Sequence, residues 1–510
     1  MRTKLAFRNA AASLLLQLTL ALSGILLPRF FIAVYGSPVN GLVSSITQFI
    51  SYMTLVEAGI GAAGTVSLYQ PLARGDLPSV SRIVSAARRF YLRSGALFAA
   101  LAVLLTVFYP YAVRSEIQNV SFIRMMVLVL CVNGIVDYFF LGKYRVLLLA
   151  DQRGYVISVI QIVGTVVMTA ASIVLIQLNC SALLVKAVAA VIYLLRSLAV
   201  APYVRRHYPE VDFRAEADNA AFAQRWSALL HQVVGMVVNN TDIVLLTLLL
   251  ARNALAEVSV YTVYNMVAYA LSGLLQSISN GLGSGFGQVI ASGERDTLRR
   301  SFSSYEYVFF LIIFAAYGSM AVLLYPFVGL YSADFTDGVV YLRWPLVALF
   351  TAGGLLQSLR LPGLTLITAA GHFRQTRVRA VVEAVINLGV SLALIRPLGI
   401  VGVLLGTCAS YLYRTTDVIL YSARHFVPGS LGRTLFRLLR NGLVTGAAVA
   451  LGVRLQERLI TGWGSWLLWA VVWSLALGAG LCLCNLLCEG AEFRALVRRF
   501  RELINRRRSA

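Results

Sequence analysis

Long apolar segments alternate with short polar connections along the whole chain. Segments such as 10–33, 156–178 and 466–487 each hold about 20 or more residues, enough for an α-helix to cross a hydrocarbon layer of roughly 30 Å. The pattern predicts an all-α integral membrane protein with about fourteen transmembrane helices. The predicted spans are 10–34, 40–68, 90–112, 122–149, 155–178, 182–203, 226–251, 258–288, 304–326, 342–370, 378–396, 400–423, 441–457 and 466–487.

The composition excludes a soluble domain. Of the 510 residues, 59% are hydrophobic and only 13% are charged, whereas an ordinary soluble domain is about half apolar and a quarter charged. A water-soluble fold has no core large enough to bury so much apolar surface. The composition therefore supports the membrane interpretation of the apolar segments.

The positions of the basic residues indicate the membrane topology rather than a nucleic-acid-binding surface. The formal net charge is +22, and the basic residues fall mainly in alternate connections, such as 74–89, 205–214, 295–300 and 433–440. Cytoplasmic connections carry this excess of basic residues in membrane proteins. We therefore expect a multi-pass protein of the plasma (inner) membrane with both termini in the cytoplasm, and no nucleic-acid partner.

A short motif recurs in the two halves of the chain. Ala73-Arg74-Gly75-Asp76 and Ala291-Ser292-Gly293-Glu294 each follow a long apolar segment, at an offset of about 218 residues. Transporters are often built from such repeats, so we expect two six-helix lobes related by a direct pseudo-repeat. The predicted regions are the N-terminal lobe 1–203, a cytoplasmic linker 204–225, the C-terminal lobe 226–424, two additional transmembrane helices in 425–487 and a basic cytoplasmic tail 488–510.

No enzyme signature is present in the sequence. The phosphate-binding loop of nucleotide hydrolases, the zinc-protease helix motif and the serine nucleophile elbow are all missing. The six cysteines are scattered, and the three near the C-terminus have no histidine nearby. We therefore expect no catalytic residues, no metal and no cofactor.

Polar residues within the predicted spans are the candidates for function, because they are costly in lipid and usually face a bundle interior or a water-filled cavity. Asn239 and Asp242, for example, follow Gln232 at helical spacing, which places all three on one face. Such stripes either line a cavity or form hydrogen bonds between helices. The candidates for a substrate cavity are Arg29, Gln48, Asn239, Asp242, Asn265, Gln276, Arg360 and Arg414.

The intramembrane arginines favour an anionic ligand. A guanidinium can bind a phosphate through two parallel hydrogen bonds and keeps its charge. Two simpler interpretations stay open: Arg29 can extend to the membrane interface, and Glu383 can pair with Arg379 one helical turn earlier. A carboxylate in a cavity can also couple transport to a cation, and the candidates for that role are Glu57, Asp137 and Asp242.

Several segments resemble one transporter family. The segments are Leu27-Pro28-Arg29-Phe30, Tyr35-Gly36, Asn40-Gly41-Leu42, Glu57-Ala58-Gly59-Ile60-Gly61, Asn239-Asn240-Thr241-Asp242-Ile243 and Val260-Tyr261 with Tyr264-Asn265. They resemble the Wzx-like bacterial polysaccharide biosynthesis transporters of the multidrug/oligosaccharidyl-lipid/polysaccharide (MOP) superfamily. The resemblance covers about residues 1–425.

The resemblance implies a flippase that moves a polyprenyl-pyrophosphate-linked oligosaccharide by alternating access. Its partners would be this substrate, membrane lipids, and the glycan polymerase and glycosyltransferases of the same pathway. Two alternatives stay open within the superfamily, a multidrug or cation-coupled exporter and a lipid II flippase. A membrane glycan polymerase or ligase is a further alternative, but it predicts a large loop outside the membrane, and the outer connections here are short.

Overall fold

The structure is a computed structural model that describes residues 2–57, 59–113, 116–218, 235–236, 240–250, 253–490 and 492–494. Throughout these residues the secondary structure is helical, without a strand. The prediction of an all-α membrane protein is therefore confirmed. Ten helices of the described part are long and apolar enough to cross a membrane, and the chain is a multi-pass membrane protein.

The chain forms two compact units. The first comprises Met1–Thr262 with Asp334–Val339, and the second comprises Val263–Ala333 with Val340–Ala510. The helices of the first unit are α1 Arg2–Tyr35, α2 Ser37–Met53, α3 Ile60–Arg74, α4 Leu77–Ala112, α5 Val120–Val136, α6 Gly142–Ala150, α7 Gly154–Gln177, α8 Ala182–Leu198, α9 Val200–His207 and α10 Asn240–Leu249.

The next helix, α11 Ala254–Ala291, begins in the first unit and ends in the second. The remaining helices belong to the second unit: α12 Arg295–Tyr331, α13 Trp344–Leu359, α14 Leu361–Ala369, α15 Phe373–Leu398, α16 Ile400–His425, α17 Leu431–Leu459 and α18 Trp463–Cys488.

Four of the predicted spans are interrupted, and in one of them, 182–203, α8 ends at Leu198 and α9 begins at Val200. The segment 40–68 contains α2, a 3-10 turn at Thr54–Glu57 and α3; the segment 122–149 contains a π-helical turn at Asp137–Leu141 between α5 and α6. The segment 342–370 contains α13 and α14, which meet at Arg360. The hydropathy pattern predicted each of these segments as one helix, because apolar residues continue across every interruption.

The repeated motif forms the same turn in both places. Gly75 and Gly293 adopt the left-handed conformation, with φ of 69° and 72°, one residue after the end of α3 and two residues after the end of α11. The acidic residue that follows is the N-cap of the next long helix, and the Asp76 carboxylate accepts a hydrogen bond from the Ser79 backbone N–H (3.0 Å). The motif therefore encodes a tight connection between two helices.

The core of the first unit depends on glycines that admit aromatic rings. A Cβ at Gly134 of α5 would lie 2.2 Å from Cζ of Phe98, and one at Gly142 would lie 2.4 Å from Cδ1 of Tyr91. Both rings come from α4 and are almost completely buried. Because protein interiors are close-packed, no larger residue fits at these two positions without displacing the rings.

The core of the second unit is built around α12. This helix packs against α13, α17 and α18, and 67% of its most apolar window is buried, more than for any other candidate span of the described residues. Gly318 lies where α17 and α18 approach, since a Cβ there would lie 2.6 Å from Thr445 and 2.7 Å from Leu477. The two C-terminal helices are thus packed directly on α12 within the second unit.

We expect Gly41→Ala to destabilise the first unit. A Cβ at Gly41 of α2 would lie 1.7 Å from the backbone oxygen of Leu255 in α11, and the two helices must separate to admit it. Overpacking of this kind costs about 1–3 kcal/mol, which should lower the melting temperature of the purified protein.

Gly24→Ala in α1 is the matched control, because no atom lies within 4 Å of its added Cβ. Alanine is the better helix former by up to about 1 kcal/mol, so this variant should melt at or slightly above the temperature of the unmodified protein. Equal melting temperatures for the two variants would contradict a close contact at Gly41.

Candidate functional site

Charged candidate residues lie at the helix interruptions. Glu57 ends the 3-10 turn after α2, Asp137 begins the π-helical turn after α5, and Arg360 separates α13 from α14. Interrupted helices and π turns are frequent at functional sites in proteins, and discontinuous helices form the binding sites of many transporters. The interruptions therefore single out these three side chains among the candidates.

Glu57 and Asp137 lie in a charged cluster of the first unit. The hydroxyl of Tyr91 donates a hydrogen bond to Glu57 (2.7 Å), and the hydroxyl of Tyr193 donates one to Asp137 (2.7 Å). The guanidinium of Arg145 lies 3.4 Å from the Asp137 carboxylate. Each carboxylate thus has a phenolic donor, and Arg145 compensates part of the negative charge of Asp137.

Arg360 and Arg414 share one carboxylate in the second unit. Glu383 of α15 lies 2.5 Å from the guanidinium of Arg360 and 3.5 Å from that of Arg414. Arg414 also pairs with Asp417 (2.8 Å), which in turn pairs with Arg379 (2.7 Å). The alternative in which Glu383 pairs with Arg379 is therefore not the arrangement found, because Arg379 binds Asp417 instead.

These five side chains, which we call the Arg360 cluster, leave an excess of positive charge. Three guanidiniums face two carboxylates, so the formal charge is +1. The side chains of Arg360, Glu383 and Arg414 are only 11%, 7% and 7% exposed, and the Nε of Arg360 is buried without a partner among the described residues. The cluster can therefore donate at least one further charged hydrogen bond to an anion.

Asp242 takes part in hydrogen bonds between helices. It accepts a hydrogen bond from the hydroxyl of Tyr261 (2.9 Å), which links α10 to α11. The neighbouring Thr241 shares a hydrogen bond with Tyr52 of α2 (2.7 Å). Both side chains thus form hydrogen bonds between helices, and Asp242 is buried.

The other amide candidates differ in their surroundings. Gln48 is half-buried, and its Nε2 is buried without a hydrogen-bond partner among the described residues. Asn265 is half-buried and Gln276 is exposed. Asn239 lies outside the described residues. The Nε2 of Gln48 is thus a buried donor that a bound molecule can use.

Arg29 is held by an acidic loop. Its guanidinium pairs with Asp334 (2.7 Å), in the segment Asp334–Val339 that belongs to the same unit. Asp337 of this segment also accepts a hydrogen bond from the backbone N–H of Ser37 (2.5 Å). Arg29 is 29% exposed and Asp334 is 64% exposed, so this pair lies at the protein surface.

The described part of the chain contains no group of side chains suited to bind a metal ion. There, no group of three or more His, Cys, Asp or Glu side chains is close enough to hold a metal ion. The acidic residues of the two charged clusters are instead paired with arginine or tyrosine. All six cysteines are free thiols.

A further charged cluster lies between α12, α17 and α18. The guanidinium of Arg437 is fully buried and pairs with Glu306 (3.0 Å) and Glu489 (2.9 Å), while Arg440 pairs with Glu489 (2.8 Å) and binds the side chain of Asn485. In the sequence, both arginines belong to the basic connection 433–440. We call this group the Arg437 clamp, because it joins the two C-terminal helices to α12.

The acid stability of the clamp should depend on Glu489, which lies just beyond the end of α18. Burial alone raises the pKa of this carboxyl, but hydrogen bonds and charge from Arg437 and Arg440 outweigh it and hold the pKa below its usual 4.5. Its contribution to stability is therefore fully present above pH 4.5 and is lost as the pH falls through the lowered value.

The melting temperature of the unmodified protein, measured between pH 3 and 7, should accordingly fall more steeply below about pH 4.5 than that of Glu489→Gln. The two curves should converge at the acid end, where Glu489 is protonated. Parallel curves over the whole range would exclude this linkage.

Comparison with known proteins shows the fold. Neither protein-family models nor curated protein sequences match this chain. The structure is similar to that of the lipid II flippase MurJ in an inward closed conformation, with a TM-score of 0.68, 11% identity, and coverage of 96% of this chain and 99% of that one.

The fold is also similar to that of transporters of the MATE family. An inward-facing multidrug resistance MATE transporter of the MOP superfamily matches with a TM-score of 0.60, 12% identity, and coverage of 83% of this chain and 99% of that one. An outward-facing structure of the same kind matches with a TM-score of 0.53, 13% identity, and coverage of 84% and 96%. The chain thus has the fold of MOP-superfamily transporters.

Proposed function

We propose that this protein is a flippase of the MOP fold that translocates a lipid-linked oligosaccharide, with a polyprenyl-pyrophosphate headgroup, across the plasma membrane. Transport proceeds by alternating access between two lobes and supplies surface polysaccharide synthesis. The protein acts as a transporter rather than as an enzyme, with both termini in the cytoplasm. The oligosaccharide comes from glycosyltransferases and passes to a glycan polymerase of the same pathway.

The extent of the match with the lipid II flippase MurJ carries this proposal. That structure covers 96% of the chain, whereas the MATE structures cover 83% and 84%. The match with MurJ therefore extends over more of the chain than the matches with MATE transporters, which supports a flippase for a lipid-linked substrate over an exporter of water-soluble drugs.

The Arg360 cluster supports an anionic headgroup as cargo. Its formal charge is +1, and a buried guanidinium N–H of Arg360 has no partner among the described residues. A pyrophosphate offers several acceptor oxygens to such donors, and hydrogen bonds between charged groups are stronger than neutral ones. A cationic drug would instead be repelled by the excess positive charge.

Reconstitution tests the proposal directly. Proteoliposomes that contain the protein should translocate a fluorescent polyprenyl-pyrophosphate oligosaccharide, detected as protection of the label from a membrane-impermeant quencher. Liposomes without protein give the background rate. Failure to translocate any lipid-linked oligosaccharide, including one built by glycosyltransferases encoded beside the gene, would overturn the proposal.

A cation-coupled multidrug exporter is the second candidate, and the match with MATE transporters supports it. The Glu57 and Asp137 carboxylates supply groups of the kind that cation coupling needs. This candidate predicts efflux of a fluorescent organic cation from proteoliposomes under an imposed proton or sodium gradient. Efflux without movement of lipid-linked oligosaccharide would replace the flippase proposal by this one; movement of lipid II alone would make the protein a lipid II flippase.

A further inference from the structure

A separate cavity lies between α6, α7 and α8 of the first unit. Its volume is about 300 Å³, which is at the lower end of the range for small-molecule sites. The polar part of its wall consists of Arg145, Gln161, Tyr193, Arg196 and Ser197. Every charged side chain of the lining is thus a cation, and the Asp137 carboxylate beside Arg145 is not part of the wall.

Arg196 differs from Arg145 in having no carboxylate partner among the described residues. Its guanidinium lies over the ring of Tyr193, 4.0 Å from the centroid, and donates a hydrogen bond to the hydroxyl of Thr165 (3.3 Å). A guanidinium can form five hydrogen bonds. Stacking and one hydrogen bond therefore orient the group and leave donors for a bound anion.

The opposite helix makes room for this arginine. A Cβ at Gly164 of α7 would lie 2.5 Å from Cδ of Arg196, so that only glycine lets the side chain of Arg196 lie against α7. The position of the guanidinium is thus set from two sides, by the Tyr193 ring and by the backbone of α7.

The cavity lies near one end of its helices, on a surface that faces lipid. Gln161 follows the start of α7 by seven residues, about 10 Å along the helix, and Arg196 is two residues from the end of α8. The apolar side chains next to it on α7 and α8 are exposed, as expected for a lipid-facing surface: Val159, Val163, Val191 and Leu195. These exposed side chains give acyl chains an apolar surface beside the cavity.

We propose that this cavity binds a phosphate group, and that a membrane lipid headgroup supplies it. The phosphate oxygens accept hydrogen bonds from Arg196 and Arg145, with Gln161 as a neutral donor, while the acyl chains lie along the exposed apolar residues of α7 and α8. No residue of the Arg360 cluster takes part in this site, whereas Arg145 and Tyr193 also contact the Asp137 carboxylate of the first unit.

Lipid binding to the purified protein tests this site. Phosphatidylglycerol, titrated into the protein in detergent, should raise the melting temperature and remain bound in native mass spectrometry. Arg196→Gln removes the guanidinium and should weaken this binding at least tenfold, since a hydrogen bond to a charged group contributes about 1.5–3 kcal/mol. Gly164→Ala should also weaken the binding of phosphatidylglycerol, because the added methyl group displaces Arg196.

Arg124→Gln is the matched control. Arg124 also lies beside a tyrosine ring, 5.9 Å from the centroid of Tyr111, but near the start of α5 and away from the cavity. This variant should bind phosphatidylglycerol as the unmodified protein does. Equal binding by Arg196→Gln, or equal loss in Arg124→Gln, would overturn the proposal. Should Arg196→Gln fail to accumulate, Arg196→Lys keeps the charge without the planar fork and should give a smaller loss.

Two further ligands identify the source of the phosphate. Diacylglycerol has the same chains without phosphate, and equal binding of it would overturn the proposal. Inorganic phosphate that displaces phosphatidylglycerol at millimolar concentration, and does so only when Arg196 is present, would assign the site to free phosphate. Lipid binding that inorganic phosphate does not displace supports the headgroup as the ligand.

Discussion

Arg437→Ala is expected to destabilise the protein by about 3–5 kcal/mol, the largest effect of any single substitution considered. The guanidinium is fully buried and holds Glu306 and Glu489 at 3.0 and 2.9 Å. Removal of one member of a buried ion pair leaves the other charge uncompensated in a medium of low dielectric constant. The melting temperature and the yield of monodisperse protein in detergent measure the effect.

Arg433→Ala, one helical turn earlier in α17, is the control. Its side chain is 41% exposed, and it lies 3.6 Å from Glu492. Exposed pairs contribute about 0–1 kcal/mol, so this variant should melt close to the unmodified protein. If both variants lost the same stability, the clamp would have no special role, and basic charge near the start of α17 would be the property that matters.

Arg360→Gln is expected to lower the rate of oligosaccharide translocation at least tenfold. This result rests on the proposed function, in which the unpartnered N–H of Arg360 binds the pyrophosphate. Loss of one hydrogen bond between charged groups costs about 1.5–3 kcal/mol, or more than a tenfold change. Glu383 keeps Arg414 as a partner in the variant, so insertion into the membrane should be retained.

The proteoliposome assay measures the rate, and the melting temperature reports the fold. Arg396→Gln is the control, because Arg396 lies in the last turn of the same helix as Glu383 and is exposed. Unchanged translocation in Arg360→Gln would remove Arg360 from the substrate site. A loss of stability as large as the loss of rate would assign it a structural role instead.

The helical fold could be predicted from the sequence because its signal is local. Each apolar segment contains the length and composition that a membrane helix needs, and the two repeated motifs mark helix connections through Gly75 and Gly293. The interruptions at Glu57, Asp137 and Arg360 were not predicted. They do not change the hydropathy, and the packing around each turn determines them.

From the sequence, single charged residues of the clusters could be predicted, but the pairs that they form could not. Glu383 binds Arg360, 23 positions away, and Arg437 binds Glu306, 131 positions away. No local pattern shows that Glu383 pairs with Arg360 rather than with Arg379, which lies one helical turn away on the same helix. Arg437 lies among other basic residues near the start of α17, so its burial follows from the packing of α12 and α18 rather than from its neighbours in sequence.

The π-helical turn at Asp137–Leu141 accommodates one residue more than the α-helical ladder needs. Deletion of one residue from this turn would restore the ladder and leave the later residues on nearly their present faces, because the π turn absorbs the extra residue locally. Arg145 follows Asp137 by eight positions, and a spacing of about seven, two turns of an α-helix, would keep it on the same face. The extra residue therefore changes the backbone hydrogen bonds beside Asp137, while the faces of the residues that follow stay as they are.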